Sequence, residues 1–445
     1  MGKLFGTDGI RGIANQYPIT CELAMKVGQA VGFFSQNSGF GAIIIGKDTR
    51  VSGSMLESAL AAGVASTGID VKLAGVIPTP GVAYLCSAEK NIGAGIVVSA
   101  SHNPYQDNGI KIFKHGGEKL SNKEENQIED YILNSKHVPQ SSIGTIRRIY
   151  DSTKQYSKFL LDSFSFNQWD KKLRIVIDCS NGAASKAAHM VFNEKLFNVE
   201  FIHDAPDGKN INLNCGSQHI QDLQDLVLKK QADIGLAFDG DADRLIVVDE
   251  LGNKTTGDCI LAVCAKYVKE TEKLHRNIVV STIMSNIGLT KALDTMAIEH
   301  IKSDVGDQKV LEAMKKSGAV IGGEDSGHMI FLDSHTTGDG MLSALKLLEI
   351  LIETDQPLSE LSSIMTVFPQ VLMNVEVNKS RPDFTKIEPI ADTIKLIEQK
   401  LGNKGRVLIR YSGTQPLLRV MVEGPDQSVV EKYCSEICKS IKINL

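Results

Sequence analysis

Short runs of apolar residues recur along the chain, each ending in a polar or glycine-rich loop and followed by helical periodicity. Ala42 to Ile45 runs into Gly46-Lys47-Asp48-Thr49-Arg50 and a helical stretch from Met55. Leu173 to Ile177 leads through Ser180-Asn181-Gly182 to a second helix, and Ile278 to Val280 through Ser285-Asn286 to a third. Strand alternating with helix at this spacing predicts α/β layers with parallel or mixed sheets. The units show no residue-level repeat. The tail reads differently. Val371 to Val377 and Leu417 to Val422 alternate as strands, while Ile387 to Leu401 and Val429 to Ile441 carry helical periodicity, which predicts a small α+β domain with an antiparallel sheet.

At 445 residues the chain exceeds what one core organises, and three boundaries suggest themselves. The polar stretch Ser121 to Ile149 reads as a helix followed by an exposed connector, closing a first α/β domain at 1–150. The turn Glu250-Leu251-Gly252-Asn253 before a helix at Asp258 separates domains at 151–250 and 251–366. A further break near Thr366 to Pro369 leaves the tail, 367–445.

Composition narrows the function classes. With 42% hydrophobic and 23% charged residues, the chain is of an ordinary soluble globular kind. A formal net charge of −5 without a long basic block argues against nucleic acid or an anionic membrane as the main partner. Eight scattered cysteines form no CxxC pair and follow nothing resembling a signal peptide, so reduced thiols in a cytoplasmic protein are expected. Cys434 and Cys438, at i and i+4, lack the partners of a zinc site.

Four loops carry candidate chemistry. Ser99-Ala100-Ser101-His102-Asn103-Pro104 follows the apolar strand Gly95 to Val98. A serine delivered there is either a nucleophile, activated by His102 or Lys111, or a loop hydroxyl bonded to its own backbone. Asp239-Gly240-Asp241-Ala242-Asp243-Arg244 follows the strand Ile234 to Phe238. Three alternating carboxylates need a compensating cation, and oxygen-only donors suit Mg²⁺ or Ca²⁺. A glycine inside the triplet and a strand before it set this loop apart from an EF-hand. Gly322-Gly323-Glu324-Asp325-Ser326-Gly327-His328 suits sugar hydroxyls, although a plain turn explains it equally. Arg410-Tyr411-Ser412-Gly413-Thr414-Gln415-Pro416 is either a phosphate cradle or ordinary hairpin chemistry.

Together, in this order and spacing, the four loops resemble the active site of the α-D-phosphohexomutase superfamily, and the likeness covers nearly the whole chain. Phe5-Gly6-Thr7-Asp8-Gly9-Ile10-Arg11-Gly12 resembles the family's opening segment, whose arginine lines the site. The match is closest to the branch acting on amino sugars, supported by Gly46 to Arg50, Ile77-Pro78-Thr79-Pro80, Asn210-Ile211-Asn212, Cys215-Gly216-Ser217 and Thr336-Thr337-Gly338-Asp339-Gly340. Asp325, Gln415 and Gln308 stand where that branch usually has Gln, Glu and Arg.

The resemblance implies three successive α/β domains with mixed sheets plus a C-terminal α+β domain, heart-shaped around a central cleft. Their loops would supply the phosphoserine, the metal site, sugar recognition and phosphate binding in turn. The resemblance implies a mutase that converts glucosamine 6-phosphate to glucosamine 1-phosphate through phosphorylated Ser101 and a 1,6-bisphosphate, feeding UDP-N-acetylglucosamine synthesis for the cell envelope. Asp239, Asp241, Asp243 and a phosphoryl oxygen on Ser101 would hold one Mg²⁺. Lys111 would act as general acid/base, assisted by His102, Arg11 and Arg244. Glu324, Ser326 and His328 would hold sugar hydroxyls, and Arg410, Ser412, Gly413 and Thr414 the phosphate that is not reacting. Glucosamine or glucose 1,6-bisphosphate would be the activator; a homodimer stays open. The alternatives are the same chemistry on mannose or glucose phosphates, a metal-dependent phosphatase, which leaves the Ser101 loop unexplained, and a sugar-phosphate sensor, which would need a lost nucleophile or metal ligand.

Overall fold

The computed structural model describes residues 4–6, 8–134, 142–164, 172–377, 382–412 and 416–445. The first sheet contains β1 (Ile10–Ile13), β2 (Ala42–Lys47), β3 (Asp70–Val76), β4 (Ile92–Val98), β5 (Asp107–Lys114), β6 (Glu118–Lys119) and β7 (Ile146–Arg148). Its order is β1-β5-β4-β2-β3-β7, with β6 beside β5. The second contains β8 (Arg174–Asp178), β9 (Asn198–Ile202), β10 (Ile234–Phe238), β11 (Leu245–Asp249) and β12 (Lys254–Thr255), ordered β12-β11-β10-β8-β9. The third, ordered β14-β13-β15-β16, is built of β13 (Ile278–Thr282), β14 (Glu299–Ser303), β15 (Ile321–Gly323) and β16 (Met329–Phe331). The last comprises β17 (Gln370–Glu376), β18 (Arg406–Tyr411) and β19 (Leu417–Glu423), with β19 in the middle and both pairings antiparallel. Three mixed sheets followed by an antiparallel one is the architecture expected from the strand and helix patterns.

The residue types explain the placement. Every residue of β2 and of β10 is buried, as expected of central strands covered on both faces, whereas β17 alternates. β2 runs parallel to β3 and β4, and β8 parallel to β9 and β10. Their carboxyl ends therefore open on the same side, where α/β sheets present ligand-binding loops. Side-chain caps fix the starts of several helices. Thr20 accepts from Leu23 N at Cys21–Asn37, and Asp339 from Met341 and Leu342 N at Gly340–Thr354. Among the described residues no helix is long and apolar enough to cross a membrane. All eight cysteines are free.

The structure corrects the reading of residues 121–149. The helix Asn122–Asn134 is present, but the connector contains β7, which pairs in parallel with β3 through Val71↔Ile146 to Leu73↔Arg148. Its three residues are exposed and two are charged, as befits a short edge strand, and they carry no apolar signal.

The chain forms two compact units, Met1–Met284 with Ile298–Ser363, and Ser285–Ala297 with Ile364–Leu445. The second unit has its own core, in which Val420, Val422, Ile390, Ile397, Val430 and Ile437 pack together. It also takes in the helix Ile287–Thr295. Glu423, fully buried, pairs with Arg406 and accepts from Ile287 N, and Lys291 Nζ donates to Asn403 O.

Candidate active site

Ser101 is 1% exposed, three residues beyond the end of β4, with a left-handed φ of 53°. A serine is held there only when its surroundings over-determine the loop. The determinants are Asp48 and Arg50, at the carboxyl end of the neighbouring β2. Asp48 Oδ2 accepts from Arg50 Nε at 2.8 Å and from Ser99 Oγ at 2.6 Å, and Ser99 Oγ in turn accepts from Ser101 N at 2.9 Å. The buried Arg50 guanidinium donates to the carbonyls of Ser101 at 2.9 Å, Asn103 at 2.8 Å and Asp107 at 3.0 Å, and also to that of Pro104. Asn212 Nδ2 supports the same loop at Ser101 O and Asn103 O, both at 2.9 Å.

The acidic loop follows β10 and meets the serine directly. Ser101 Oγ donates to Asp239 Oδ2 at 2.5 Å. The approach requires Gly240, because a Cβ there would lie 2.6 Å from Ser101 O and 2.8 Å from Asn212 Nδ2. Carboxylate oxygens of Asp239, Asp241 and Asp243, all three residues buried, lie within 4.8 Å of one another. Burial, then Asp243 and Asp241, push the Asp239 carboxyl well above its usual range. Burial also works against an ionised Asp243, but Lys111, His328 and Arg244 outweigh it and bring its pKa down to about 2. Asp241 Oδ1 and Asp243 Oδ1 are buried and accept no hydrogen bond among the described residues. An oxygen-only donor set with two unpaired buried oxygens fits a hard divalent cation.

Lys111 lies on β5, opposite Val97 of β4. Its ammonium is 2.9 Å from Asp241 Oδ2 and 3.0 Å from both Asp243 Oδ2 and Asp8 Oδ2. Burial alone would lower its pKa, but Asp241, Asp243 and Asp8 together hold it well above the ordinary lysine value. His102 Nδ1 is 3.3 Å from Ser101 Oγ. Burial, then Arg244 and Arg11, depress that imidazole to about 4, so it is neutral at neutral pH. Arg11 pairs with Asp8 at 2.5 Å, and Arg244 Nε is buried without a hydrogen bond among the described residues.

The third loop joins this cluster through backbone: Leu245 N donates to Gly327 O at 3.0 Å, and Gly327 takes a φ of 89°. Glu324 Oε1 accepts from Gly306 N at 3.1 Å, and Ser326 Oγ donates to Glu324 Oε2 at 3.4 Å. His328 is buried, its Nε2 3.6 Å from Asp307 Oδ2. Asp325 is exposed and accepts from Asp258 N in the first turn of the helix Gly257–Glu270. Arg410, on β18, and Ser412, just after it, belong to the C-terminal unit, while Gly413, Thr414 and Gln415 lie outside the described residues.

The structure adds residues that motif reading passed over. Asp8 gathers Arg11, Lys111 and Lys119, and Lys119 also pairs with Asp307. Thr79 donates its hydroxyl to Asp241 Oδ2 at 2.6 Å and its backbone N–H to Asp241 O at 2.9 Å. Asp8, Asp48, Arg50, Thr79 and Asn212 all sit inside the short segments that carried the family resemblance.

A buried serine loop, a carboxylate triad and a loop of glutamate, serine and histidine stand on three successive sheets, the arrangement expected of a phosphohexomutase, and comparison with known proteins shows the family. The phosphoglucomutase/phosphomannomutase family matches in all four of its parts: α/β/α domain I at residues 2–138, II at 154–252, III at 256–368 and the C-terminal domain at 372–440. The chain belongs to this family, within the α-D-phosphohexomutase superfamily. Curated relatives include the phosphoglucosamine mutase of Desulforapulum autotrophicum, 57% identical over 99% of both chains, and that of Syntrophus aciditrophicus, 51% identical over 100% of both. Among solved structures, a phosphoglucomutase/phosphomannomutase family protein from Burkholderia thailandensis superposes with a TM-score of 0.83 at 24% identity, covering 98% of this chain and 96% of its own. An Aspergillus fumigatus N-acetylphosphoglucosamine mutase, solved with GlcNAc-6P and magnesium, gives 0.68 at 15% identity, with 99% and 96% covered. These two likenesses support the shared fold.

Proposed function

We propose that the chain interconverts glucosamine 6-phosphate and glucosamine 1-phosphate through a phosphoserine at Ser101, supplying the precursor of UDP-N-acetylglucosamine. The observation that carries this reading is the 2.5 Å contact between Ser101 Oγ and Asp239, inside a buried triad countered by Lys111.

The reaction begins with phosphorylated Ser101. Its P–Oγ bond breaks as a bond forms from phosphorus to the sugar's O1, and the O1 proton is lost, giving the 1,6-bisphosphate. The bisphosphate then turns over in the site. The 6-phosphoryl group returns to Ser101, leaving glucosamine 1-phosphate with a protonated O6. Phosphoryl transfer is mostly positioning and charge stabilisation. Arg50 and Asp48 fix the serine, and Arg11 and Arg244 supply positive charge. Lys111, held charged by its carboxylates, would give a proton to Ser101 Oγ as the P–Oγ bond breaks and then take up the proton lost by the sugar hydroxyl. The neutral His102 can accept and return a serine proton. Bound Mg²⁺, held by Asp239, Asp241, Asp243 and a phosphoryl oxygen on Ser101, would neutralise charge developing on the transferring group. Glu324, Ser326 and His328 are proposed to hold sugar hydroxyls. In the C-terminal unit, Arg410 and Ser412, with Gly413 and Thr414, are the proposed phosphate binders. A sugar 1,6-bisphosphate would phosphorylate resting enzyme. Eight free thiols support a cytoplasmic setting.

The substrate is tested by kcat/KM on glucosamine, glucose and mannose phosphates under one set of conditions. A charge-assisted hydrogen bond to the C2 ammonium, worth roughly 1.5–3 kcal/mol, corresponds to on the order of ten- to a hundredfold preference for the amino sugar. A tenfold preference for glucose or mannose phosphate would reassign the substrate and leave the mechanism intact.

A further inference from the structure

Beneath the Ser101 loop, on the second sheet, a second group of donor atoms converges outside the machinery described above. Asp178 ends β8, His203 follows β9, and Cys215 lies in the loop Asn210 to Ser217. Asp178 and Cys215 are buried, His203 is partly buried, and one donor atom from each lies within 4.8 Å of the others.

The geometry points to a binding site for a thiophilic divalent cation of the zinc class, with Asp178 Oδ2, His203 Nδ1 and Cys215 Sγ as protein ligands. The donor chemistry separates it from the active-site triad. Thiolate, imidazole and carboxylate together favour zinc-like ions, whereas the triad offers oxygen alone. One thiolate and one carboxylate also balance a double positive charge.

Three further features suit a ligating histidine. His203 Nδ1 already points at Asp178 Oδ2, 3.0 Å away, while its Nε2 is 3.3 Å from Asp222 Oδ2. A carboxylate on the far nitrogen is the usual support of a metal-bound imidazole, fixing its tautomer. His203 is held at a φ of 48°, a costly conformation for a side chain that does nothing. Its ring is 25% exposed, which leaves a route from solvent to an otherwise buried position.

The same atoms form a hydrogen-bonded hub. Asp178 accepts from Ser180 N and Gly216 N, both at 2.8 Å, and burial followed by Asp178 pushes the Cys215 thiol up to about 12. Binding must therefore expel the thiol proton, together with the Nδ1 proton when the imidazole carries both. The donors must also settle at the roughly 3.5 Å edges of a tetrahedral site, so that His203 Nδ1 and Asp178 Oδ2 open slightly from 3.0 Å. The hub is wired to the catalytic loop: Asn212 N donates to Ser180 O, Asn212 Nδ2 holds Ser101 O, and Thr49 Oγ1 donates to Asn181 O at 2.6 Å. An ion here would brace the phosphoserine loop from behind.

The probe is Co²⁺, added to full-length enzyme in saturating Mg²⁺ and a mild thiol-free reductant, and read by its thiolate-to-metal charge-transfer absorption. About one equivalent should give the band. Cys215→Ser should abolish it, Asp222→Asn should weaken binding roughly 10- to 100-fold, and Asp241→Asn should leave it intact. No charge-transfer band in the unsubstituted enzyme, or a band that survives Cys215→Ser, would overturn the assignment.

Discussion

Nζ of Lys111 lies 2.9 Å from Oδ2 of Asp241, joining a strand of the first sheet to the acidic loop of the second. Both groups are almost completely buried, so each depends on the other for charge compensation. Lys111→Met should leave Asp241 and Asp243 uncompensated and cost about 3–5 kcal/mol, the range for removing one partner of a buried pair. Urea unfolding in a chelator measures this loss. Saturating Mg²⁺ should recover part of it, and turnover should still fall by about a hundredfold or more if Lys111 is the general acid/base proposed above.

Arg50 makes its own prediction because its effect is geometric. One planar guanidinium reaches Asp48 and four carbonyls of the Ser101 loop. Arg50→Lys keeps the charge and loses the fork. The expected result is a loss of about 2 kcal/mol in stability together with a fall in kcat of about tenfold or more. Parallel urea titrations and steady-state rates check it; an unchanged kcat would show that the loop holds its shape without the clamp.

The metal prediction concerns Asp241. Asp241→Asn removes one carboxylate from the triad, so Mg²⁺ affinity and activity should fall together, each by about tenfold or more. Calorimetric Mg²⁺ titration and rates measured across Mg²⁺ concentrations give the two quantities. Full turnover of the variant in a chelator would contradict the role.

His335 sets a pH dependence of stability away from the catalytic groups. Its ring is buried, with Nε2 3.1 Å from Pro80 O and Nδ1 accepting from Thr336 N at 2.8 Å. Burial depresses its pKa to about 4, outweighing the Pro80 carbonyl. An unfolded histidine takes up a proton near pH 6.5, so acidification from there to about 4 favours the unfolded chain by up to about 3 kcal/mol. Asp339 acts in the opposite sense: burial raises its carboxyl to about 7, so its charge becomes a growing penalty as pH rises from about 4 to 7. Subtracting His335→Gln from the parent isolates the histidine. The parent should lose more stability than the variant between pH 6.5 and 4.

The strands ending in the serine and acidic loops were legible because the apolar runs Gly95 to Val98 in β4 and Ile234 to Phe238 in β10 are stopped by polar loops. Ser101 and the triplet Asp239, Asp241 and Asp243 were legible as candidates because their loops follow such runs. β7 was not, since Ile146–Arg148 is exposed and held only by its ladder with β3. The braces were also hidden. Arg50 acts on carbonyls about fifty residues away, and Thr79 on a carboxylate 162 residues away, relationships that exist only after the strands assemble. The left-handed backbone at Ser101 and Ala242 had no glycine or asparagine to announce it. The membership of Ile287–Thr295 in the C-terminal unit depends on Glu423 and Asn403, far along the chain.

The most direct test of the mechanism is a single turnover. Enzyme phosphorylated at Ser101, verified by peptide mass mapping, is mixed with an equal amount of glucosamine 6-phosphate in Mg²⁺ and quenched over time. Phosphate should leave the Ser101 peptide as the 1,6-bisphosphate appears, then return as glucosamine 1-phosphate accumulates, and Ser101→Ala should do neither. Product forming while the Ser101 peptide stays fully phosphorylated, or a Ser101→Ala enzyme with normal turnover, would contradict transfer through this serine.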